Sequence, residues 1–183
     1  MIRRLLLTLL VAAVVLPAFG DDGSFNAEGY RLPPYRSPTP KVVEGAVTLN
    51  TGALKEMLSA NPDAVLIDVY NVGYANGGFL QDTPHWTLPG AIWLPNTGNT
   101  PLEKRWRDYL YRHLQQLTED NRDRTLVFFC RADCWLSWNV AKRIAADGYT
   151  SVYWYRNGVD GWREAGGKVE AVRPEPVVGD GNP

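Results

Sequence analysis

Cysteine is nearly absent from this sequence, with two residues in 183, and that excludes the disulfide-built scaffold of many small secreted domains. Methionine is equally sparse: Met57 is the only one after Met1, so there is no methionine-rich segment to suit copper. Histidine is confined to His85 and His113. An excess of either charge is also missing. Lys plus Arg number 19 against 20 Asp plus Glu, and without a basic surface nucleic acid is not an expected partner. No internal repeat is visible. What is present, 45% hydrophobic and 21% charged residues, describes one ordinary globular domain rather than a disordered or collagen-like chain. A single core of this length buries roughly 70% of the unfolded surface.

Residues 1–20 read as a signal peptide. Arg3 and Arg4 precede an apolar run, Leu5 to Leu16, broken only by Thr8, and Ala18 and Gly20 stand at −3 and −1 of a cleavage site. The run is too short to span a bilayer comfortably, so the expectation is an exported protein with no membrane span after cleavage. Residues 21–44 read as an extended Pro/Gly-rich arm, with Pro33 and Pro34 favouring polyproline geometry. Phe25, Tyr30 and Tyr35 are available to dock it on the domain or on a partner, and a loosely packed arm is the plainer expectation. Residues 171–183 read as a flexible tail.

Between residues 45 and 170 strand and helix patterns alternate. Short apolar runs at 46–49, 64–69, 91–94, 125–129 and 151–155 read as strands, several buried on both faces. Helices are expected at 51–59, ended by Asn61-Pro62, at 136–147, closed by Gly148, and at 160–165. A further helix is expected from Pro101, with Thr100 and Glu103 forming a capping box and apolar residues at helical spacing from Leu102 to Leu117. His113 falls on that apolar face and reads as a packed residue rather than a ligand. The alternation argues for a parallel sheet covered on both sides.

Both cysteines lie in one segment, FFCRADCWLSWNVAKRI. Cys130 follows a buried strand and precedes a helix, at the edge of an α/β sheet where ligands bind. Backbone N–H groups there favour a thiolate or an anion, Arg131 adds to the effect and Asp133 opposes it. Residues four apart on a helix have Cα atoms about 6 Å apart, within disulfide reach of each other. Three uses of the pair follow: a passive bridge, a working thiol or dithiol, or half of a copper or zinc site. Chain entropy gives so short a loop only about 2 kcal/mol, which weakens the first. Trp135 and Trp138 read as core residues.

Several segments together resemble the rhodanese family: LIDV (66–69), PGAIWLP (89–95), LVFFC (126–130) and GVDGWREAGGKVE (158–170), carrying Asp68, Gly90 and Trp162 as motif residues. The resemblance implies an open, parallel, five-stranded α/β sheet with helices on both faces over residues 45–170. It also implies a nucleophile at Cys130 that carries sulfur as a persulfide, within a substrate loop of Arg131, Ala132, Asp133, Cys134 and Trp135. The departures are informative. Tyr70 stands where an arginine commonly follows Leu-Ile-Asp-Val, and Asp133 and Trp135 replace the glycine and arginine of Cys-x-x-Gly-x-Arg. Loss of that arginine weakens the case for thiosulfate as substrate. Segment 71–88, with His85 and Trp86, is long for this family and reads as a lid or a surface insertion.

The run from Cys130 to Arg143, C-x3-C-W-x-S-W-N-x-A-K-R, resembles exported proteins named for a CXXCW motif and associated with PQQ-dependent catabolism. That likeness implies a periplasmic location and a role beside a quinoprotein dehydrogenase or its electron carrier, with a small sulfur-containing substrate. PQQ enters by this association only, and no metal site is expected. The expected function is sulfur transfer or thiol–disulfide chemistry, with Cys130 the nucleophile and Cys134 its resolving partner. The alternatives are a non-catalytic accessory module with a structural disulfide, and a copper carrier using both cysteines.

Overall fold

The computed structural model describes residues 23–177, so the segment read as a signal peptide and the last residues of the tail lie outside the described residues. Five short strands form one parallel sheet: β1 (Val47–Leu49), β2 (Val65–Asp68), β6 (Ile92–Trp93), β7 (Leu126–Phe129) and β8 (Val152–Tyr155). Their order across the sheet is β1-β8-β7-β2-β6, with β7 central between β8 and β2. Four helices cover it: α1 (Thr51–Ala60), α2 (Lys104–Thr118), α3 (Trp135–Ala146) and α4 (Gly158–Glu164). This is the five-stranded α/β arrangement that the resemblance implied.

Alternation along the strands divides the core in two. Ile67, Phe128, Cys130 and Trp154 face α2 and α3, whereas Leu66, Val127, Phe129 and Tyr155 join Leu54 and Val159 on the side of α1 and α4. Because Cys130 continues the parity of Phe128, its side chain enters the α3 side. All four residues of β7 are buried, as its unbroken apolar run requires of a central parallel strand.

Helix α1 begins where Asn50 accepts a hydrogen bond from the Ala53 N–H at 2.9 Å, and ends at Asn61 before Pro62. The expected capping box at Thr100 does not form. Helix α2 starts at Lys104, and Glu103 caps it without a side-chain bond. The cause is tertiary: the Thr100 N–H donates to the Tyr35 hydroxyl at 2.7 Å, and its Oγ1 accepts from Asn139 Nδ2 at 3.1 Å. Thr100 therefore serves the contact between arm and α3, and Glu103 stays extended.

Four further strands had no distinct signal. β3 (Gly73–Ala75) and β4 (Gly78–Leu80) form a hairpin, and β5 (His85–Thr87) pairs antiparallel with β9 (Glu170–Val172). β9 thus crosses the boundary expected at 170/171, and the first residues of the segment read as a flexible tail continue along the sheet edge, where the Glu175 N–H donates to the Trp93 carbonyl at 3.0 Å. The edge strand β6 gains a donor for that carbonyl this way. His113 is buried in α2 and donates from Nε2 to the Pro176 carbonyl at 3.1 Å, a packing role as expected from its face.

Candidate functional site

Cys130 is the first residue beyond β7 and Cys134 the last before α3, and their sulfurs are bonded at 2.05 Å with Cα atoms 6.4 Å apart. Cys130 is fully buried and Cys134 is 5% exposed. The Ser137 hydroxyl lies 3.6 Å from Cys130 Sγ, accepts from Trp154 Nε1 at 3.1 Å and donates to the Cys134 carbonyl at 3.3 Å. In the first turn of α3, Ser137 is thus held in place to face the sulfur.

The loop between the cysteines is fastened from outside. Arg131 donates to Asp160 from Nη2 at 3.0 Å and from Nε at 3.3 Å, and the Ala132 N–H donates to the same carboxylate at 3.1 Å. Burial opposes ionisation of Asp160, but the bonds from Arg131 and Ala132 outweigh it and hold its carboxyl below the usual range. The bond to Asp160 in turn raises Arg131 above the ordinary guanidinium value. Of the loop residues read as an anion seat, Ala132 therefore already binds a carboxylate, one supplied by α4.

Asp133 takes a left-handed backbone, φ 52°, a conformation that aspartate tolerates better than most residues. Its carboxylate accepts from the Thr39 N–H at 3.3 Å and lies 3.9 Å from Arg156. Gly158 closes the other side. At φ +56° it packs so tightly that a Cβ would come within 2.5 Å of the Cys130 carbonyl oxygen and 2.6 Å of the Arg131 carbonyl carbon. Only glycine fits there.

The arm is docked on this loop and on α3. The Trp135 N–H donates to the Tyr35 carbonyl at 2.8 Å and the Ser37 N–H to the Asp133 carbonyl at 3.1 Å, so the arm bridges antiparallel to Cys134 through Arg36. Trp135 Nε1 donates to Ser37 Oγ at 2.9 Å. Phe25 stands edge-on to Trp135 and Trp138, and Arg31 lies over the Phe25 and Trp135 rings. Asn139, fully buried, bonds the Arg31 N–H and carbonyl. Arm docking therefore accounts for Trp135, Trp138 and Asn139, residues the sequence reading placed in the core or left without a role. A signal for it was present: residues 134–141, CWLSWNVA, carry no charge, so this helix has no solvent face and needs a cover on the side away from the sheet.

Beside the loop lies a cavity of about 180 Å³ lined by Tyr70, His85, Trp86, Arg131, Asp160 and Arg163, with Val159 at its base. Val159 also donates its N–H to the Cys130 carbonyl at 2.9 Å, so one residue separates the cavity from the cysteine backbone. Asp68 is fully buried behind it and accepts from the Tyr70 N–H, the Thr87 hydroxyl and His85 Nε2 at 2.7–2.9 Å. The Gly90 N–H donates to Glu170 at 2.7 Å and Trp162 Nε1 to the Lys168 carbonyl at 2.7 Å; both lie away from the cysteines and tie the domain's last turns together.

Segment 71–88 divides its roles. The β3–β4 hairpin packs Tyr74 and Phe79 on Trp106 of α2, away from the cysteine loop, and of this segment only His85 and Trp86 line the cavity, beside Tyr70 just before it. Among the described residues, no group of three or more His, Cys, Asp or Glu side chains gathers as a metal site.

The Rhodanese-like domain model matches residues 50–165. Among solved structures, a thiosulfate sulfurtransferase from Pseudomonas aeruginosa is 18% identical with a TM-score of 0.48, over 72% of this chain and 21% of that one. A polysulfide-sulfur transferase homodimer from Wolinella succinogenes is 17% identical with a TM-score of 0.45, over 69% of this chain and 79% of that one. The match thus spans about a fifth of the length of the Pseudomonas protein. No curated protein matches the chain.

Proposed function

We propose, from the premise that this chain belongs to the rhodanese-like domain family, that it is an exported thiol–disulfide protein whose working couple is Cys130 and Cys134. The observation that carries the reading is the bond between them at the carboxyl end of β7. A loop this short contributes only about 2 kcal/mol as a staple, and the domain has a two-sided core without it.

The exchange is a two-electron step. A thiolate of a partner dithiol attacks Cys134 Sγ, the more exposed of the two sulfurs, and the Cys130–Cys134 bond breaks with Cys130 leaving as thiolate. The Ser137 hydroxyl, 3.6 Å from Cys130 Sγ, can turn its one hydrogen from the Cys134 carbonyl to that thiolate. The partner's second thiol then displaces Cys134 and the partner leaves as a disulfide; two protons end on the cysteine pair. In this reading Cys134 meets the partner and Cys130 resolves, the reverse of the order that the family position of Cys130 suggests.

Family membership favours sulfur transfer through Cys130 as a second reading. Two donors near the sulfur count against it as the main activity. The Ala132 N–H is bound to Asp160 and the Trp135 N–H to the Tyr35 carbonyl, so neither is available to an outer sulfur. The signal-like first twenty residues and the C-x3-C-W-x-S-W-N-x-A-K-R run support a periplasmic site of action beside a quinoprotein dehydrogenase or its electron carrier.

The test uses Cys130→Ser and Cys134→Ser with a small aromatic disulfide and, separately, thiosulfate. Faster mixed-disulfide formation in Cys130→Ser, with no persulfide mass in either variant, is the expected result. A persulfide on Cys130 in Cys134→Ser would establish sulfur transfer instead.

A further inference from the structure

We propose that the cavity formed by Tyr70, His85, Trp86, Arg131 and Arg163 is a binding site for a small organic anion: a carboxylate or sulfonate head on a flat apolar body. The site is separate from the cysteine couple in chemistry, although it shares the Arg131 loop with it.

Charge selects the head. Arg131 and Arg163 line the cavity with one half-buried carboxylate, Asp160, which Arg36 also approaches at 3.8 Å from outside the lining. Arg36 and Arg131 both pair with Asp160, whereas Arg163 forms no ion pair with any of the described residues. Asp68 is fully buried behind His85 and does not line the cavity, so Asp160 is the one carboxylate in its lining. The surroundings therefore keep an excess of positive charge at the cavity, and a guanidinium binds a planar oxyanion through paired donors.

The walls select the body. Trp86 is 47% exposed and Tyr70 36%, unusual for large aromatics in a domain whose other tryptophans are mostly buried. Tyr70 stacks on His85 at 5.6 Å and 5°, and His85 on Trp93 at 4.1 Å. His85 is further fixed by Asp68 at 2.8 Å. The stack is thus already assembled before a ligand arrives, which lowers the entropic cost of binding. At about 180 Å³ the cavity is small, on the scale of one ring with its head group rather than of a nucleotide.

The test is a titration of the full chain, with its disulfide intact, by benzoate and benzenesulfonate. The controls are neutral benzamide and inorganic sulfate, and the readouts are the tryptophan fluorescence that Trp86→Ala removes and the His85 and Trp86 NMR resonances. Saturable shifts confined to the cavity are expected for both aromatic anions, with weaker binding of benzamide and of sulfate. Arg163→Gln should weaken benzoate about tenfold, the loss of a charge-assisted contact. Trp86→Ala should weaken benzoate but not sulfate. Benzamide binding as tightly as benzoate, an unchanged affinity in Arg163→Gln, or no saturable shift would each overturn the proposal. None of these readouts depends on the reactivity of Cys130 or Cys134, so failure here and failure of the thiol–disulfide reading remain distinguishable.

Discussion

The side-chain amide of Asn139 reads the main chain of Arg31 at both of its polar groups: the Arg31 N–H donates to Oδ1 at 2.9 Å, and Nδ2 donates to the carbonyl at 3.0 Å. One buried amide on α3 therefore does for the arm what a neighbouring strand would do. The same Nδ2 lies 2.9 Å from the Gly98 carbonyl and 3.1 Å from the Thr100 hydroxyl, so its two hydrogens are shared among three acceptors and three segments meet at one point.

Asn139→Ala should then cost about 2–3 kcal/mol, since the Gly98 carbonyl and Thr100 hydroxyl lose a donor in a buried setting. Urea unfolding reads that loss. Amide exchange of Arg31 and Tyr35 should rise well before exchange in β7, because the arm is released while the sheet stays closed.

Gly158→Ala places a methyl group within 2.5 Å of the Cys130 carbonyl at a left-handed backbone position. Strain and overlap together should destabilise the fold by about 2–4 kcal/mol. A thermal melt measures this, and Gly77→Ala, with open space around its Cβ, is the comparison for backbone strain alone.

Asp160 gives a pH signature. Its carboxyl is held below the ordinary range, so its contribution to stability is complete above the unfolded-state value of about 4 and is lost as pH falls through the lower folded-state value. Wild type should exceed Asp160→Asn in urea midpoint at pH 7, and the gap should close on acidification below about pH 4. A gap independent of pH would mean that the loop is held by shape alone.

The sheet was legible because buried parallel strands are apolar runs bounded by turn residues, and 126–129 running into Cys130 is the clearest case. The arm's docking was legible only in part: the uncharged run 134–141 shows that α3 needs a cover, but a bond such as Asn139 to Arg31 joins residues 108 apart in sequence and leaves no local pattern to say what covers it. Strands β5 and β9 escaped for the same reason: three residues are too few for alternation to show, and each exists only because the other lies beside it. Thr100 misled because its sequence context matches a helix cap, whereas its bonds go to Tyr35 and Asn139. At the site, the position of Cys130 and its bond to Cys134 could be anticipated, but the roles of Ser137, Gly158 and Asp160 could not. Each acts across the fold on a backbone group or a sulfur.

Reduction of the disulfide in the folded protein should lower stability by about 2 kcal/mol or less, from the length of the closed loop. Urea midpoints with and without reductant, at matched pH, measure it.

The most direct measurement is a redox titration of the folded protein in dithiol buffers of graded potential, with alkylation and mass spectrometry reporting Cys130 and Cys134. A working couple gives one reversible two-electron transition above about −300 mV, both cysteines alkylated together while native amide protection in β7 persists. A pair that resists reduction until the sheet itself unfolds would contradict it.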